Sequence, residues 1–460
     1  MKFNYENDRV SDLRIAYIGG GSRGLAWKLM IDCTKAKDLS GVMTLYDIDF
    51  EAAKHNEQIG NNIPDSQWKY EAKETIGEAL TGADFVVISI LPGTFDEMES
   101  DVHAPEKYGI YQSVGDTTSV GGVLRAMRTV PMMEEIAHAI EKYAPNAWVI
   151  NYTNPMAMCI DALYRAFPGI KAFGCCHEVF GTQRVLSAAI EDQLGVKNVD
   201  IHEIHTDVVG INHFTWFTGA RYRNVDLFPV YKAVADKYFE TGFNPRKPDA
   251  WKKDTFASDN RVKFDLFRKY GYIAAAGDRH LAEFMDPDLY LKDPETVKSW
   301  HFSLTSVAWR KKDLENRLEK SRKLRSGEER FTLSETGEEG IAMIRALLGI
   351  TPMITNVNLP NRGQISNLPL GTVVETNATF RADTVTPVWQ GEIPESIYPL
   401  IRRIADEMNE TVSAAMSRSY EKCFAAFCNN HGTKNLTDAQ KKALFDEMVK
   451  NTEKYLKEYH

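Results

Sequence analysis

The sequence lacks the features that would direct it to a membrane, to nucleic acid or to an oxidising compartment. No apolar run approaches the roughly 20 residues needed to cross a bilayer, so no membrane partner is expected. Lys and Arg number 55 against 64 Asp and Glu, and a formal net charge of −9 disfavours a nucleic-acid partner. Only six cysteines occur in 460 residues, which excludes a disulfide framework and indicates a cytoplasmic protein.

The length exceeds that of one ordinary core, so more than one domain is expected. Apolar runs alternate with helix-like segments through residues 1–200, which predicts an α/β fold with an N-terminal Rossmann domain. Beyond this point the pattern changes. Residues 201–460 are predicted to form an α+β domain that carries substrate, metal and oligomer contacts.

A glycine-rich turn follows the first apolar run, Arg14 to Ile18, and precedes a helix-like stretch. It comprises Gly19, Gly20, Gly21, Ser22, Arg23 and Gly24. This is the G-x-G-x-x-G pattern in a strand–turn–helix context, and it predicts a dinucleotide site. Asp47 ends the second strand, 23 residues after Gly24, where a carboxylate binds both ribose hydroxyls and favours NAD over NADP. Pro92, after the third strand, is expected beside the cofactor. The alternative is an ordinary tight turn.

Two further segments carry polar side chains that suit a binding pocket. The loop from Gly109 to Val120 and the helix after it place Asp116 and Arg125 either on a substrate lid or in a solvated loop with a helix cap. Asn154 follows the strand Trp148 to Ile150. Its amide suits sugar hydroxyls or the nicotinamide, but the same residue is typical of a helix N-cap.

A thiol and an imidazole also follow predicted strands. Cys176 lies just after the strand Ile170 to Phe173, and His213 just after the strand Val208 to Asn212. We interpret both strands as members of one sheet, whose carboxyl ends would bring the two side chains together as ligands of a divalent transition metal. Cys175 is expected to pack in the core, because adjacent residues at a strand end point in opposite directions. An inert core role for both side chains is the alternative.

The second half of the chain offers one polar cluster, Asp278, Arg279 and His280, after a run of small residues. It is interpreted as an acid/base group with an anion-binding group, or as a buried salt-bridge cluster. Residues 311–325 are strongly charged and predict a solvated helix. Residues 356–363 and 371–377 predict a small antiparallel piece.

With these residues in view, the chain resembles glycoside hydrolase family 4, the NAD- and manganese-dependent glycosidases. The likeness rests on motifs spread over nearly the whole chain: Ile18–Ser22, Asn151–Met156, Cys176–His177, Gly210–His213 and Asn358–Pro369. The resemblance implies a second domain akin to that of malate and lactate dehydrogenases. It implies NAD and Mn²⁺, or another divalent transition metal, as cofactors, and a homodimer or homotetramer as the assembly.

The resemblance also implies roles for single residues. Cys176 and His213 match the family's metal ligands, and Asn154 matches its substrate-binding asparagine. His177 stands where the phosphoglycosidase branch has an Asp as general acid, which implies an unphosphorylated sugar, and Asp278 is taken as the base that removes the C2 proton. In this chemistry a hydride leaves C3 reversibly, and the leaving group departs by elimination.

Within the family the sequence is most similar to the α-galacturonidase branch, through the stretches Gly174–Thr182 and Ala276–Phe284. A uronic acid substrate needs a partner for its carboxylate, and Arg279, His280 and Arg125 are the candidates. The alternatives are an α-glucuronidase or α-galactosidase of the same family, a 2-hydroxy-acid dehydrogenase, and a non-catalytic NAD sensor. The dehydrogenase reading leaves a Cys/His metal pair unexplained.

Overall fold

The computed structural model describes residues 1–4, 7–245, 247–334 and 336–460. Its strands are β1 Lys2–Asn4, β2 Arg9–Ile18, β3 Leu39–Tyr46, β4 Trp68–Lys73, β5 Phe85–Ile88, β6 Trp148–Asn151, β7 Lys171–Gly174, β8 Ile204–Ile211, β9 Phe214–Tyr222, β10 Val225–Asp226, β11 Ile273–Ala274, β12 Met353–Pro360, β13 Val373–Arg381 and β14 Thr384–Pro387. Its helices are α1 Leu25–Lys35, α2 Phe50–Asn61, α3 Ile76–Leu80, α4 Phe95–His103, α5 Ser119–Tyr143, α6 Met156–Ala166, α7 Glu178–Leu194, α8 Leu227–Tyr238, α9 Arg261–Tyr270, α10 Asp278–Phe284, α11 Pro287–Tyr290, α12 Pro294–Ser299, α13 Val307–Ser326, α14 Gly340–Leu347, α15 Tyr398–Met416, α16 Tyr420–Asn429 and α17 Asp438–Asn451.

Ten of the described strands form one large sheet, in the order β14-β13-β12-β7-β6-β5-β2-β3-β4, with β1 paired to β2. The six strands from β7 to β4 run parallel to their neighbours. This is the doubly wound arrangement, in which the chain order reverses between β2 and β5 and leaves a crevice at their carboxyl ends. The predicted Rossmann fold is confirmed.

The central strands are apolar because both of their faces are covered. All four residues of β5 are buried, and so are the last four residues of β2. Parallel strands in such a position read as continuous apolar runs rather than as alternating ones. Helix α5 packs on one face of the sheet, with Val130, Met133 and Ile140 in the core that contains Val86 and Ile88.

The strands β12, β13 and β14 come from the second half of the chain but extend the first sheet. Strand β12 runs antiparallel to β7, with Asn358 opposite Gly174, and β13 and β14 follow it outward. The expected antiparallel pairing of these two segments is confirmed, and the pair extends the first sheet. Periodicity identified the strands, but it could not show that the free edge of β7 was their partner. The sheet thus crosses residue 200, where we had placed the boundary between domains.

A second, four-stranded sheet contains β8, β9, β10 and β11. Strand β8 runs antiparallel to β9, so the expectation that β8 shares a parallel sheet with β7 was wrong. Ile211 lies opposite Phe214, which leaves Asn212 and His213 as a two-residue turn. His213 has a φ of 65°, in the left-handed region that side chains rarely adopt. The hairpin tip therefore holds this imidazole in a special backbone conformation.

The two sheets are joined directly. The backbone N–H of Val208 in β8 donates to Oδ1 of Asn377 in β13 at 2.9 Å. The β8–β9 hairpin is thereby fixed against β13, which lies two strands from β7 in the large sheet. Among the described residues, no helix combines the length and the apolar character that crossing a bilayer requires.

Candidate active site

A cavity of about 420 Å³ lies where the segments after β6 and β7 meet the tip of the β8–β9 hairpin and the start of α10. It collects most of the catalytic, metal-binding and substrate-binding residues expected from the sequence. They are Asp116, Asn154, Cys176, His177, His213, Asp278, Arg279 and His280. Leu25, which directly follows Gly24, lines the same cavity, so the glycine-rich turn borders on it. Segments distant in sequence thus form one pocket beside the expected cofactor site.

Two adjacent cysteines leave β7 in opposite directions, as the sequence suggested. Cys175 is buried, with its Sγ 3.2 Å from Sδ of Met343, whereas Cys176 is partly accessible, and both residues border the cavity. Burial, reinforced by the carboxylates of Glu375 and Glu178, raises the pKa of the Cys176 thiol well above its usual value. The same carboxylates favour a cation beside it, and a cation would promote the thiolate.

His213 is held by a short relay of hydrogen bonds. The Thr117 hydroxyl donates to Oδ1 of Asp116 at 2.8 Å, and its oxygen lies 3.1 Å from Nδ1 of His213. Since the hydroxyl has only one proton, Nδ1 of His213 is the donor in the second contact. The proton on Nδ1 leaves Nε2 with a free lone pair, which is the arrangement found behind metal-bound histidines.

The electrostatics of His213 also suit a metal ligand. Burial and the neighbouring His280 lower the pKa of His213 to about 3, so the ring is neutral at physiological pH. Its ring lies 3.9 Å from that of His280, centroid to centroid. A neutral imidazole and a thiolate are both donors that divalent transition metals bind. In the described part of the chain no cluster of three or more His, Cys, Asp or Glu is arranged around a common point, so Cys176 and His213 would act as a pair.

The Glu178 carboxylate and the His280 ring form a polar wall that the sequence did not indicate as a pair. Nε2 of His280 lies 3.7 Å from Oε1 of Glu178, and the N–H of Gly277 donates to Oε2 at 2.8 Å. Burial opposes ionisation of Glu178, but His280 and His213 outweigh it and bring its pKa to about 2. Nδ1 of His280 is buried and has no partner among the described residues. It is free to receive a substrate hydroxyl.

Asn154 presents an unused acceptor to the cavity. Its Oδ1 is buried without a partner in the described structure, and no side chain caps the start of α6. The N-cap alternative for Asn154 was therefore wrong. Nε of Arg125 donates to the backbone oxygen of Asn154 at 3.2 Å. Arg125 is buried and is not part of the cavity wall, so the expectation of a direct substrate contact from it is not supported.

Asp116 is a half-buried carboxylate that stays ionised. Burial opposes its charge, but Arg125, His213 and His280 together hold the pKa of Asp116 below its usual value. It lines the cavity while the Thr117 hydroxyl occupies one of its oxygens. The lid interpretation of this loop agrees with this placement, and the solvated-loop alternative does not.

Asp278 and Arg279 line the cavity, but both are engaged with the protein. The two oxygens of Asp278 accept the N–H groups of Val262 and Lys263, at 3.3 and 3.2 Å, in the first turn of α9. Arg279 donates from Nη2 to Ser113 O at 2.5 Å and to Thr305 Oγ1, and from Nε to Ser303 O at 3.3 Å. Neither forms the mutual salt bridge considered from the sequence. Arg279 is thus largely committed to holding two loops together.

His177 lies at the exposed rim of the cavity. Its side chain is 59% accessible, and its Nδ1 is 3.9 Å from Oε1 of Glu338. Glu338 also accepts from Nζ of Lys28 at 2.9 Å. This cluster joins the first turns of α1 to the segment before α14, and nothing in the local sequence pattern around Glu338 indicated it.

The glycine-rich turn is packed so closely that side chains are excluded. At Gly19, where φ is +91°, an added Cβ would come within 2.0 Å of the backbone oxygen of Ser89. At Gly21 it would come within 2.6 Å of the Ala52 Cβ and 2.9 Å of Asp47 Oδ2. The N–H groups of Gly19 and Gly20 both donate to Tyr46 O at 2.8 Å. The turn therefore leaves backbone, not side chains, at the crevice, as a dinucleotide cradle requires.

Asp47 contacts this turn, and Pro92 lies in the loop after β5. Oδ2 of Asp47 accepts the N–H of Gly21 at 2.9 Å, and Oδ1 accepts the N–H of Asp49 at 2.9 Å, which orients the carboxylate at the end of β3. The carbonyl of Pro92 accepts from Nε of Arg128 at 3.2 Å, and Arg128 forms a fully buried ion pair with Asp101. The loop after β5 is thus tied to helix α5.

A buried carboxylate beneath Cys176 was missed from the sequence. Glu375 of β13 accepts from Nδ2 of Asn356 at 2.6 Å and from Nδ2 of Asn212 at 3.0 Å, and Nδ2 of Asn356 also lies 3.4 Å from Cys176 O. These contacts link the strand next to β7 with the hairpin tip that carries His213. Only the pairing of β12 and β13 with β7 brings them together.

Comparison with known proteins shows which family the chain belongs to. The model for family 4 glycosyl hydrolases matches residues 14–191, and the model for the C-terminal domain of that family matches residues 208–433. The chain is 56% identical over 458 residues to an alpha-galacturonidase of Thermoanaerobacterium saccharolyticum (strain DSM 8691 / JW/SL-YS485), covering 98% of each protein.

Solved structures give the same picture. A crystal structure from Bacillus subtilis, described as a glucosidase, is 45% identical with a TM-score of 0.92, covering 95% of this chain and 100% of that one. A 6-phospho-alpha-glucosidase from gut microorganisms, solved in complex with NAD and Mn²⁺, is 20% identical with a TM-score of 0.80, covering 96% and 99%. This last likeness concerns the fold alone. Since the two family models together match most of the chain, the protein belongs to the family 4 glycosyl hydrolases.

Proposed function

We propose that this family 4 enzyme hydrolyses α-galacturonides, using NAD and a divalent cation such as Mn²⁺. The observation that carries the proposal is the cavity in which Cys176, His213 and Asn154 meet beside the glycine-rich turn. The alpha-galacturonidase relative, 56% identical over nearly the whole chain, supports the choice of sugar. The glycine-rich turn and Asp47 would hold the dinucleotide, and Cys176 with His213 would hold the cation.

These residues fit both groups in their chemistry. The turn excludes side chains at Gly19 and Gly21, and the Cys176 sulfur and the neutral His213 ring are suitable donors. When bound, NAD reversibly accepts a hydride and the cation withdraws charge from sugar oxygens. The chain itself positions the sugar. Asn154 Oδ1 and His280 Nδ1, both buried without partners among the described residues, would receive its hydroxyl groups.

The proton-transfer roles fall to Asp278 and His177. Burial raises the pKa of Asp278, and each of its oxygens keeps a lone pair beyond the one used by a backbone N–H, so it can still accept the C2 proton. His177 at the accessible rim would protonate the leaving group and exchange protons with water.

The deciding assay compares p-nitrophenyl α-galacturonide, α-glucuronide and α-galactoside, each with NAD⁺ and Mn²⁺. We expect the galacturonide to be cleaved with the highest kcat/KM and without net accumulation of NADH. Faster cleavage of the neutral galactoside or of the glucuronide would overturn the sugar assignment. Accumulation of NADH in step with turnover would instead favour a net dehydrogenase.

A second experiment tests removal of the C2 proton by a side chain. Turnover in D₂O should give a product that carries deuterium at C2. Asp278→Asn should abolish that exchange, whereas His177→Gln should reduce cleavage of poor leaving groups more than that of p-nitrophenolate. A product without deuterium at C2 would refute this route.

The assembly, compartment and domain division complete the proposal. We expect a homodimer or homotetramer in solution, which sedimentation velocity would measure, and a cytoplasmic location, which agrees with the free cysteines. We keep the division at residue 200 as a proposal, with the NAD-binding Rossmann domain before it and the α+β domain for substrate, metal and oligomer contacts after it, while Asn154 and Cys176 reach the site from the first domain.

A further inference from the structure

One guanidinium that lines the cavity is not needed to hold the cofactor, the cation or the sugar hydroxyl groups. Arg310 lies in the first turn of α13, the strongly charged helix that the sequence predicted to be solvated. It lines the cavity together with Asp116, Arg279 and His280. Ser306 caps the helix through the N–H of Trp309, so the first turn, and Arg310 with it, is well defined.

The arginines near the cavity differ in what they already bind. Arg279 donates to two backbone carbonyls and a hydroxyl, and Arg125 donates to Asn154 O. Arg310 has a buried Nε without any hydrogen-bond partner among the described residues, and it forms no ion pair with a described carboxylate. Its guanidinium lies over the Phe256 ring, with Cζ 6.0 Å from the ring centroid.

An arginine in this position is unfavourable without a ligand. A partly desolvated guanidinium loses hydration that the protein has not replaced, and a carboxylate would replace it with two parallel charge-assisted hydrogen bonds. Burial lowers the pKa of Arg310, and among the neighbouring charges Asp116 opposes that shift most strongly. Asp116 is itself held mainly by Arg125, His213 and His280. The cavity therefore retains the capacity for one more anionic group.

The anion could belong to the sugar or to the cofactor. The positions of two arginines on helix α13 distinguish these possibilities. Arg317 lies seven residues after Arg310, on the same helix face and about 10 Å further along the axis. Nη1 of Arg317 donates to Arg23 O at 3.3 Å, and a Cβ added at Gly24 would come within 2.6 Å of the same nitrogen. Arg317 thus faces the glycine-rich turn, and Arg310 faces the sugar cavity.

We propose that Arg310 binds the C6 carboxylate of the galacturonide and is the residue that selects a uronide over a neutral galactoside. This inference rests on the proposed function, and it replaces Arg279, His280 and Arg125 as the expected partners of that carboxylate. Planar, fork-like recognition requires arginine, so lysine would restore only part of the effect.

The test uses Arg310→Gln and Arg310→Lys in the full-length enzyme with NAD⁺ and Mn²⁺. For Arg310→Gln we expect kcat/KM on p-nitrophenyl α-galacturonide to fall on the order of a hundredfold, and that on the α-galactoside to change by less than about fivefold. Arg310→Lys should lose about tenfold on the galacturonide. The thermal shift produced by free galacturonic acid, measured without turnover, should disappear in Arg310→Gln.

Two variants on the same helix serve as controls. Arg322→Gln removes an arginine that pairs on the outer surface with Glu319 and Glu328, and its kinetics should match those of the wild type. Arg317→Gln should raise the KM for NAD⁺ while leaving the ratio between the two sugars unchanged.

Each outcome has one meaning. If the wild type prefers the neutral galactoside, the proposed function fails before any variant is considered. If the wild type prefers the galacturonide but Arg310→Gln keeps that preference, the assignment of Arg310 is overturned. Equal losses on both sugars with a raised KM for NAD⁺ would also overturn it, because Arg310 would then serve the cofactor. Should Arg310→Gln fail to fold, Arg310→Lys and the thermal shift with galacturonic acid decide.

Discussion

The loop that carries Asp116 is anchored on a buried glutamate whose charge state should govern the pH dependence of stability. Oε1 of Glu283 accepts the N–H of Val114 at 2.6 Å and that of Gly115 at 2.9 Å. The residue is 3% exposed, and burial raises its pKa from 4.5 to about 7 despite these two hydrogen bonds. The folded protein therefore holds this proton more tightly than the unfolded chain does.

The raised pKa of Glu283 links the free energy of unfolding to pH, and this linkage gives the sign and the size of the effect. Well below pH 4.5 the Glu283 carboxyl is protonated in both the folded and the unfolded chain, so its raised pKa does not change the free energy of unfolding. As the pH rises from 4.5 to about 7 the unfolded chain ionises first, so the free energy of unfolding falls. A shift of this size corresponds to about 3 kcal/mol at pH 8 and to less than about 1 kcal/mol at pH 5.

Glu283→Gln should remove that penalty while keeping an oxygen for Val114 and Gly115. With about 2 cal/mol/K of unfolding entropy per residue, a chain of 460 residues shifts its Tm by about 1 °C per kcal/mol when it unfolds as one unit. The variant should therefore melt about 3 °C above the wild type at pH 8 and within about 1 °C of it at pH 5.

Differential scanning fluorimetry between pH 5 and 8 measures this difference directly. Glu191→Gln, at an exposed position on α7, is the matched control and should follow the wild-type curve at every pH. A Tm difference for Glu283→Gln that stays constant across this range would refute the reasoning. So would a loss of stability at pH 8, because it would mean that the ionised carboxylate stabilises the loop.

Three further predictions follow from the site and its supports. Cys176→Ser should abolish activity and weaken Mn²⁺ binding, measured by calorimetry, on the order of a hundredfold, and unchanged affinity would contradict the ligand assignment. Asp47→Ala should lower the ratio of kcat/KM with NAD⁺ to that with NADP⁺ by at least about tenfold, because it removes the acceptor for the ribose hydroxyls, and an unchanged ratio would count against it. Asp101→Ala leaves Arg128 buried without its partner and should lower the free energy of unfolding by about 3–5 kcal/mol. Asp161→Ala, which breaks the more accessible pair with Arg165, should cost at most about 1 kcal/mol, and equal losses in the two variants would show that burial is not the cause.

Features that depend on short stretches of chain were determined by the sequence alone. The turn from Gly19 to Gly24 needs only a strand, closely packed glycines and a following helix, and all three are local. Asp47 is found by counting from that turn. The burial of Cys175 and the greater accessibility of Cys176 follow from the alternation of side chains at a strand end. Local rules of this kind do not depend on what the rest of the chain packs against.

The partners of strands and the orientation of polar helices were decided only by the tertiary structure. Cys176 and His213 were expected to meet because their strands share a sheet. They meet instead because a hairpin of the second sheet packs against β13, which pairs through β12 with the edge of β7. Arg310 sits on a helix with no apolar stripe, so its sequence reads as solvated until the neighbouring loops close over its first turn. Pairing and burial of this kind arise between residues distant in sequence, where periodicity carries no information about the partner.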